Sequence, residues 1–183
     1  MSKTLGEELL AQARCAIDAA LGGPPCPAAA ADLPELNELG ATFVTLTKDG
    51  QLRGCIGSLQ AWRPLVEDVR ANAVAAALHD PRFYPLERNE FASIHVEVSL
   101  LSKPEPLEFT DEADLLQKIV PHQDGLIINR HMHRATFLPQ VWEQLPDPLQ
   151  FLAHLKQKSG LPADTPIELF TIQRYRVQKW KEK

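Results

Sequence analysis

The sequence predicts a globular fold in which helices pack against hairpin-linked strands. Three observations predict it. First, 44% of the 183 residues are hydrophobic and 23% are charged, as in folded proteins. Second, apolar residues recur at helical spacing near the N-terminus and again after Pro64. Third, two alternating, β-rich segments flank Asp49-Gly50, a dipeptide typical of hairpin turns.

The first helix is predicted over residues 4–21, where leucine, isoleucine and alanine recur on one face. Gly22-Gly23 ends it, and the following stretch, rich in proline and alanine, predicts an irregular segment. The hairpin comes next, with strands over residues 42–47 and 51–59. Pro64 suits a first helical position, so a helix follows it.

The C-terminal half alternates short strands and helices. The pattern predicts strands over 93–101, 125–129, 134–138 and 167–177, and helices over 111–119, 139–145 and 148–159. The last of these strands alternates poorly.

The three cysteines, Cys15, Cys26 and Cys55, are odd in number and have no CxxC spacing. Such usage is typical of reduced thiols, so we expect three free cysteines and a cytoplasmic location.

Residues 52–57, Leu-Arg-Gly-Cys-Ile-Gly, are the most informative stretch of the chain, and we call them the hexapeptide. Two glycines in one strand cost packing and entropy, so we expect another group to press close to the backbone there. Side chains alternate along a strand, so Arg53, Cys55 and Gly57 share one face and Gly54 lies on the other. We predict that Gly54 and Gly57 belong to a binding site.

Cys55 has two interpretations that the residues leave open. Beside the cation Arg53 it is a candidate nucleophile, with His79 or His95 as its base. Alternatively, the thiol is a small hydrophobic side chain at a position too crowded for a larger one.

Three more residues are candidates for the same site. Asp80 and Arg82 follow the helix after Pro64, and an arginine there is either a clamp for an anion or part of a capping device. Glu97 lies two residues after His95 on a predicted strand, so the two share a face, either as an orienting pair or as a solvated charge pair.

Composition and motifs exclude several functions. A net charge of −5 argues against binding to nucleic acid or an anionic membrane. No apolar run approaches the roughly 20 residues of a membrane span. Dinucleotide, P-loop and zinc-protease motifs are lacking, and His131 and His133 have no identifiable third ligand. We therefore expect no cofactor and no metal.

From about Leu5 to Tyr175 the chain resembles the AMMECR1 domain proteins, including the prokaryotic AmmeMemoRadiSam system protein A type. The residues that carry the resemblance follow one another in the family's order: Phe43–Leu46, the hexapeptide, Asn72-Ala73, Asp80–Phe83, Val96–Ser99, Asp124–Leu126, Phe137–Trp142, Phe151-Leu152 and Lys158–Leu161.

The resemblance implies a single domain over 1–183 with an AMMECR1-like α+β fold: a mixed or antiparallel sheet packed by helices, in two tightly joined lobes, the smaller formed by part of 40–110. The hexapeptide would lie near a cleft between the lobes. Family members are associated by name and gene context with Memo-like and radical-SAM proteins, which implies a shared modification pathway. The family's usual glycine-containing turn is replaced here by residues 131–135, so a function at that hairpin tip is not transferred.

Two hypotheses of function follow. The chain is an enzyme or pathway component that uses Cys55, Arg53 and a histidine, or it is a non-catalytic module whose cleft, with Arg82, binds an unknown small molecule or protein.

Overall fold

The computed structural model describes residues 3–183, which divide into two compact units. The first unit comprises the described residues up to Leu101 together with Gln178–Lys183, and the second comprises Ser102–Val177. Each unit has its own cluster of buried apolar side chains. The fold is α+β with antiparallel sheets, as predicted.

The helices are α1 (Leu5–Ala20), α2 (Leu65–Leu78), α3 (Glu112–Lys118) and α4 (Pro148–Lys158). The strands are β1 (Leu39–Lys48), β2 (Gln51–Gly57), β3 (Arg63–Pro64), β4 (Ile94–Leu101), β5 (Glu105–Pro106), β6 (Gly125–Arg130), β7 (His133–Phe137), β8 (Thr171–Tyr175) and β9 (Val177–Lys181). Short 3-10 helices cover Pro34–Asn37, Arg88–Ser93, Pro139–Glu143 and Ile167–Leu169. The predicted helix over 139–145 is therefore a single 3-10 segment.

In the first unit the sheet has the order β2-β1-β4-β9, and β3 pairs with the start of β1. The predicted hairpin is confirmed, and its turn residues Asp49 and Gly50 have φ of 51° and 75°. One face of the sheet, which includes Val44 and Val98, is fully buried in a cluster with α1 and α2. This packing leaves the opposite face to Cys55 and Glu97, whereas Gly54 faces α2.

Helix α1 begins at Leu5, within one residue of the predicted start. Thr4 is the N-cap and forms a capping box with Glu7, which satisfies backbone N–H groups that a helix start leaves free. Leu9, Ala13 and Ile17 are fully buried, which confirms the predicted amphipathic face.

The expectation of three free thiols is wrong for two of them, because Cys15 and Cys26 form a disulfide. The chain turns back after α1, so the proline-rich segment runs beside the helix. Two hydrogen bonds hold it there: Arg70 donates to the carbonyl of Pro27, and the N–H of Ala30 donates to Glu8. The return of the chain brings Cys26, in the loop, close to Cys15, in the helix. The spacing of the cysteines in the sequence does not predict this contact. Cys55 remains free.

The second unit contains a sheet of order β5-β8-β6-β7. Its core includes Trp142 stacked on Phe151, with ring centroids 3.8 Å apart, and the indole donates to the carbonyl of Asp124. Burying both rings and satisfying the one indole donor is the usual arrangement for a core tryptophan.

The prediction of one strand over 167–177 is wrong. Residues 167–169 form a 3-10 turn, and the chain then gives β8 and β9 separately. Strand β8 lies between β5 and β6, whereas β9 lies beside β4 in the other sheet. Arg176 is the residue between β8 and β9, where the chain passes from one sheet to the other. Its N–H donates to the hydroxyl of Ser102. This change of sheet explains the poor alternation of the sequence there.

Candidate functional site

The hexapeptide occupies the edge strand β2, where Cys55 pairs with Thr45 of β1 and Gly54 pairs with Leu46. The register shifts beside this pair, because Thr47 is opposite Leu52. Arg53 is thus the extra residue of a β-bulge, and bulges commonly re-aim a side chain.

Both glycines of the hexapeptide are closely packed. A Cβ on Gly54 would overlap the backbone carbonyl oxygen of Ala76 in α2, and a Cβ on Gly57 would overlap the ring of Phe43. The predicted close approach at the hexapeptide is confirmed, and at Gly54 the group that approaches is helix backbone. The binding role of the two glycines stays a prediction.

Cys55 is held through its backbone by the segment that follows α2. Its N–H donates to Oδ2 of Asp80 at 2.9 Å, and its carbonyl accepts from Nη2 of Arg82 at 3.3 Å. An edge strand leaves such groups free, so Asp80 and Arg82 together close the edge of β2 at the thiol position.

Asp80 and Arg82 form a bidentate ion pair, with Nε–Oδ1 and Nη2–Oδ2 distances of 3.0 and 2.7 Å. The side chain of Asp80 is 2% exposed and that of Arg82 is 55% exposed. The hydrogen bond from Arg82 holds the pKa of Asp80 well below its usual range, and burial only partly opposes it. The pair is therefore charged at neutral pH. The pair closes the strand edge and also presents a guanidinium to solvent, and the roles of Asp80 and Arg82 as an anion clamp or as a helix-capping device stay predictions.

Arg53 is held by a second bidentate pair. Its Nε and Nη2 each donate to a carboxylate oxygen of Glu90 at 3.1 Å, and Lys48 donates to the same carboxylate at 3.0 Å. The hydrogen bond from Arg53 lowers the pKa of Glu90 to about 2, with burial opposing the shift. Two cations thus share one carboxylate, which leaves an excess positive charge at Arg53.

A pocket of about 480 Å³ lies where these two ion pairs meet. It is lined by Arg53, Arg82, Phe83, Tyr84, Pro85, Glu87 and Glu90. The Phe83 ring centroid is 6.0 Å from Cζ of Arg53 and 5.5 Å from Cζ of Arg82. Tyr84 is 91% exposed. All of these residues belong to the first unit.

The depressed pKa of Glu90 predicts a pH dependence of stability. A carboxylate with a folded-state pKa near 2 and an ordinary value of 4.5 stabilises the fold fully above about pH 5. That contribution is lost as the pH falls toward 2. We expect the melting temperatures of the wild type and Glu90→Gln to differ most at pH 6, to approach each other as the pH falls toward 2, and to converge only below it. A constant gap between the two melting temperatures would contradict the assignment.

The predicted histidines lie apart from the sulfur. His79 is the exposed C-cap of α2, and His95 is exposed on β4 opposite Thr47. Within residues 3–183, neither imidazole hydrogen-bonds to the Cys55 sulfur, whose side-chain partner is the Thr45 hydroxyl at 3.3 Å. The assignment of either histidine as a base stays a prediction.

Glu97 shares the face of Cys55, as the alternation predicts. Cys55, Thr45 and Glu97 are consecutive partners across β2, β1 and β4. Two strand spacings separate the first from the last, about 10 Å between backbones. A direct contact between the carboxylate and the thiol therefore does not form at this register.

The loop after the hexapeptide is fixed by a buried carboxylate that sequence reasoning missed. Asp68 is fully buried and accepts hydrogen bonds from five groups: the N–H and hydroxyl of Thr42, the hydroxyl of Ser58, Nε of Arg63 and Nδ2 of Asn72. From the sequence, an aspartate in the first turns of a helix predicts only a favourable interaction with the helix dipole, and not a buried hydrogen-bond network.

Glu90 and the aromatic wall formed by Phe83 and Tyr84 were also missed as site residues. Glu90 lies 37 residues from Arg53 in sequence, and no local pattern links them. The sequence does contain the Glu87–Glu90 spacing of a capping box. This spacing predicts where the Glu90 carboxylate lies, but it does not predict that Arg53 binds it.

Among the described residues there is no group of three His, Cys, Asp or Glu side chains placed to hold a metal ion. Within the same part of the chain, no helix combines the length and the apolar character that a bilayer crossing requires.

The comparisons with known proteins give one family model and several relatives. The profile of the AMMECR1 family matches residues 10–180. A protein of Methanothermobacter thermautotrophicus is 38% identical and covers 100% of this chain and 96% of its own length. Protein MJ0810 of Methanocaldococcus jannaschii is 40% identical, over 81% of this chain and 77% of its own.

Among solved structures, the uncharacterised protein PH0010 from Pyrococcus horikoshii aligns with a TM-score of 0.79 and 35% identity. It matches 97% of this chain and 91% of its own. A family match of this extent, together with a relative matched over nearly its whole length, decides the assignment: the chain belongs to the AMMECR1 family.

Proposed function

We propose that this protein is a binding module, in which the hexapeptide is the scaffold of the pocket between Arg53 and Arg82. The pocket takes a small molecule or a segment of a partner protein. One observation carries the proposal: Asp80 and Arg82 hydrogen-bond to the backbone of Cys55, and Arg82 also lines the pocket. The hexapeptide thereby fixes the position of a recognition residue.

The rigid construction of the pocket supports this function. Arg53 and Arg82 are each held by two hydrogen bonds to one carboxylate, so little side-chain freedom is lost when a ligand arrives. The exposed ring of Tyr84 and the half-buried ring of Phe83 offer an apolar surface beside the two cations. Pockets with a few placed polar groups and an aromatic wall are the usual form of a ligand site.

Family membership supports a place for this module in a modification pathway with Memo-like and radical-SAM proteins. In this proposal the pocket binds either the molecule that those proteins modify or one of the proteins themselves. The chain acts by recognition and leaves the covalent chemistry to them.

Thiol chemistry at Cys55 is the second candidate function. One observation favours it: the sulfur is free, only half-buried, and 3.3 Å from a hydroxyl. A nucleophile also needs a base within hydrogen-bond reach, and the sulfur has no imidazole or carboxylate partner among the described residues. Binding is therefore the better supported function.

A fragment screen by two-dimensional NMR tests the proposal. We expect ligands that shift the resonances of Arg53, Arg82 and Phe83, and we expect Tyr84→Ala to weaken them about tenfold. Met132→Ala is the matched control, because Met132 is 96% exposed and belongs to the second unit.

The same screen separates the two candidates. Ligands that bind reversibly and shift the pocket resonances support the module. The proposal fails if no fragment perturbs the pocket residues, or if the only hits are covalent adducts of Cys55.

A further inference from the structure

Arg53 has a buried hydrogen-bond donor without a partner. The side chain is 14% exposed, and Nε and Nη2 are both occupied by Glu90. Its Nη1 is buried and has no hydrogen-bond partner, alone among the buried side-chain nitrogens and oxygens of residues 3–183. Folded proteins satisfy nearly all such groups, so an unpartnered donor on an arginine that lines a pocket calls for an acceptor.

The charges around Arg53 show what kind of acceptor fits. Glu90 is shared by Arg53 and Lys48, so these three groups carry a net positive charge. Arg82 is balanced by Asp80. An anion is attracted to such a site more strongly than a neutral carbonyl, because hydrogen bonds between charged partners are about twice as strong as neutral ones.

The carboxylates of the pocket limit the charge that it accepts. Glu87 and Glu90 both line it, and the pKa of Glu90 is lowered to about 2, so that group is ionised at neutral pH. A dianion such as a phosphate monoester would meet these two negative groups, whereas a monoanion needs only one countercharge. The aromatic rings of Phe83 and Tyr84 supply contact area for an apolar body attached to the anion.

On this basis we propose that the pocket binds a monoanionic carboxylate attached to an apolar or aromatic group, with one carboxylate oxygen accepting from Nη1 of Arg53. This inference rests on the proposed function and names its ligand class. The Phe83 ring lies near both guanidinium groups and Nη1 of Arg53 is buried, so the proposal requires the ring to turn aside when the ligand enters. Arg82, which is half exposed, is the first cation that an entering carboxylate meets.

The ligand chemistry has two sources, a free organic acid or the C-terminal carboxylate of a peptide, and four probes separate the cases. Benzoate represents the free acid, and N-acetylphenylalanine represents a chain end. Benzamide keeps the ring without the charge, and phenyl phosphate adds a second charge. We expect NMR titrations to show benzoate or N-acetylphenylalanine binding at least about tenfold more tightly than benzamide and phenyl phosphate. The Phe83 ring resonances should move with the tight probe.

Two variants and a control test the role of Arg53. Arg53→Met should weaken the tight probe at least about tenfold, and Glu90→Gln should strengthen it because it removes the competing carboxylate. Arg88→Met is the matched control: Arg88 is paired with Asp18 and does not line the pocket, so we expect no more than about a twofold change. Glu90→Gln keeps the test valid if Arg53→Met does not fold.

The outcomes separate this inference from the proposed function. Equal binding of benzamide and benzoate, preference for phenyl phosphate, or unchanged affinity in Arg53→Met would overturn the ligand class while the pocket remains a binding site. Failure of all four probes, with fragments still bound in the pocket, would also overturn the class alone. If neither probes nor fragments reach the pocket, both proposals fall.

Discussion

Gly54→Val should unfold the first unit or lower its free energy of unfolding by more than about 3 kcal/mol, at the upper end of what overpacking costs. The reason is the identity of the overlapping atom. The new Cβ would collide with the backbone carbonyl oxygen of Ala76, in the last turn of the packed helix α2. A flexible side chain could rotate away, whereas this oxygen moves only if α2 moves.

The neighbouring variant Cys55→Ser is the control for Gly54→Val. It changes one atom of a half-buried side chain and keeps both backbone hydrogen bonds of residue 55. We expect it to cost no more than about 1 kcal/mol. Urea and thermal melts of the two variants measure the difference. Equal midpoints would show that the glycine is not required by the close approach of α2.

Asp68→Ala is expected to cost about 3–5 kcal/mol, as the loss of a buried, multiply paired carboxylate does. Five donors point at this side chain, among them the guanidinium of Arg63 and the amide of Asn72. Removing it takes away the acceptor that these donors share, and Asn72 Nδ2 keeps only its other hydrogen bonds, such as that to the Thr42 carbonyl. Ser58, the first residue after the hexapeptide, loses the acceptor of its hydroxyl and keeps only the hydrogen bond that it accepts from Asn72. Urea unfolding measures the loss.

An exposed aspartate gives the matched comparison for Asp68→Ala. Asp111 is the N-cap of α3, and its side chain accepts one hydrogen bond, from the N–H of Asp114. Asp111→Ala should cost about 1 kcal/mol, the usual price of a lost cap. Similar losses for the two variants would mean that the buried network adds nothing to stability.

Most elements of the fold can be predicted from the local sequence. The positive φ at Asp49-Gly50 is a property of a short segment and was predicted from the dipeptide, whereas the Thr4–Glu7 capping box, which is equally local, was not predicted. The face of Gly54 followed from the alternation of a strand. The partner that presses on it, the backbone of Ala76, lies 22 positions away, and only its alanine-rich surroundings hinted at a close-packed helix.

The features that were missed depend on long-range contacts. The disulfide requires the segment after Gly22 to return along α1, and the grip on Arg53 requires Glu90, which is distant in sequence. The C-terminal strand was misjudged because two half-strands in different sheets do not share one alternation. A single domain over 1–183 with a smaller lobe within 40–110, a cleft between tightly joined lobes and a cytoplasmic location stay predictions.

The dissociation constant of a pocket ligand for Cys55→Ser, compared with the wild type, tests the central claim most directly. That claim is that the hexapeptide positions a recognition pocket by its backbone and that the sulfur performs no chemistry. We predict that the two dissociation constants agree within about twofold, because both backbone hydrogen bonds of residue 55 survive. A loss of more than about tenfold in a variant that is still folded would contradict the account and return the thiol to the centre of the function.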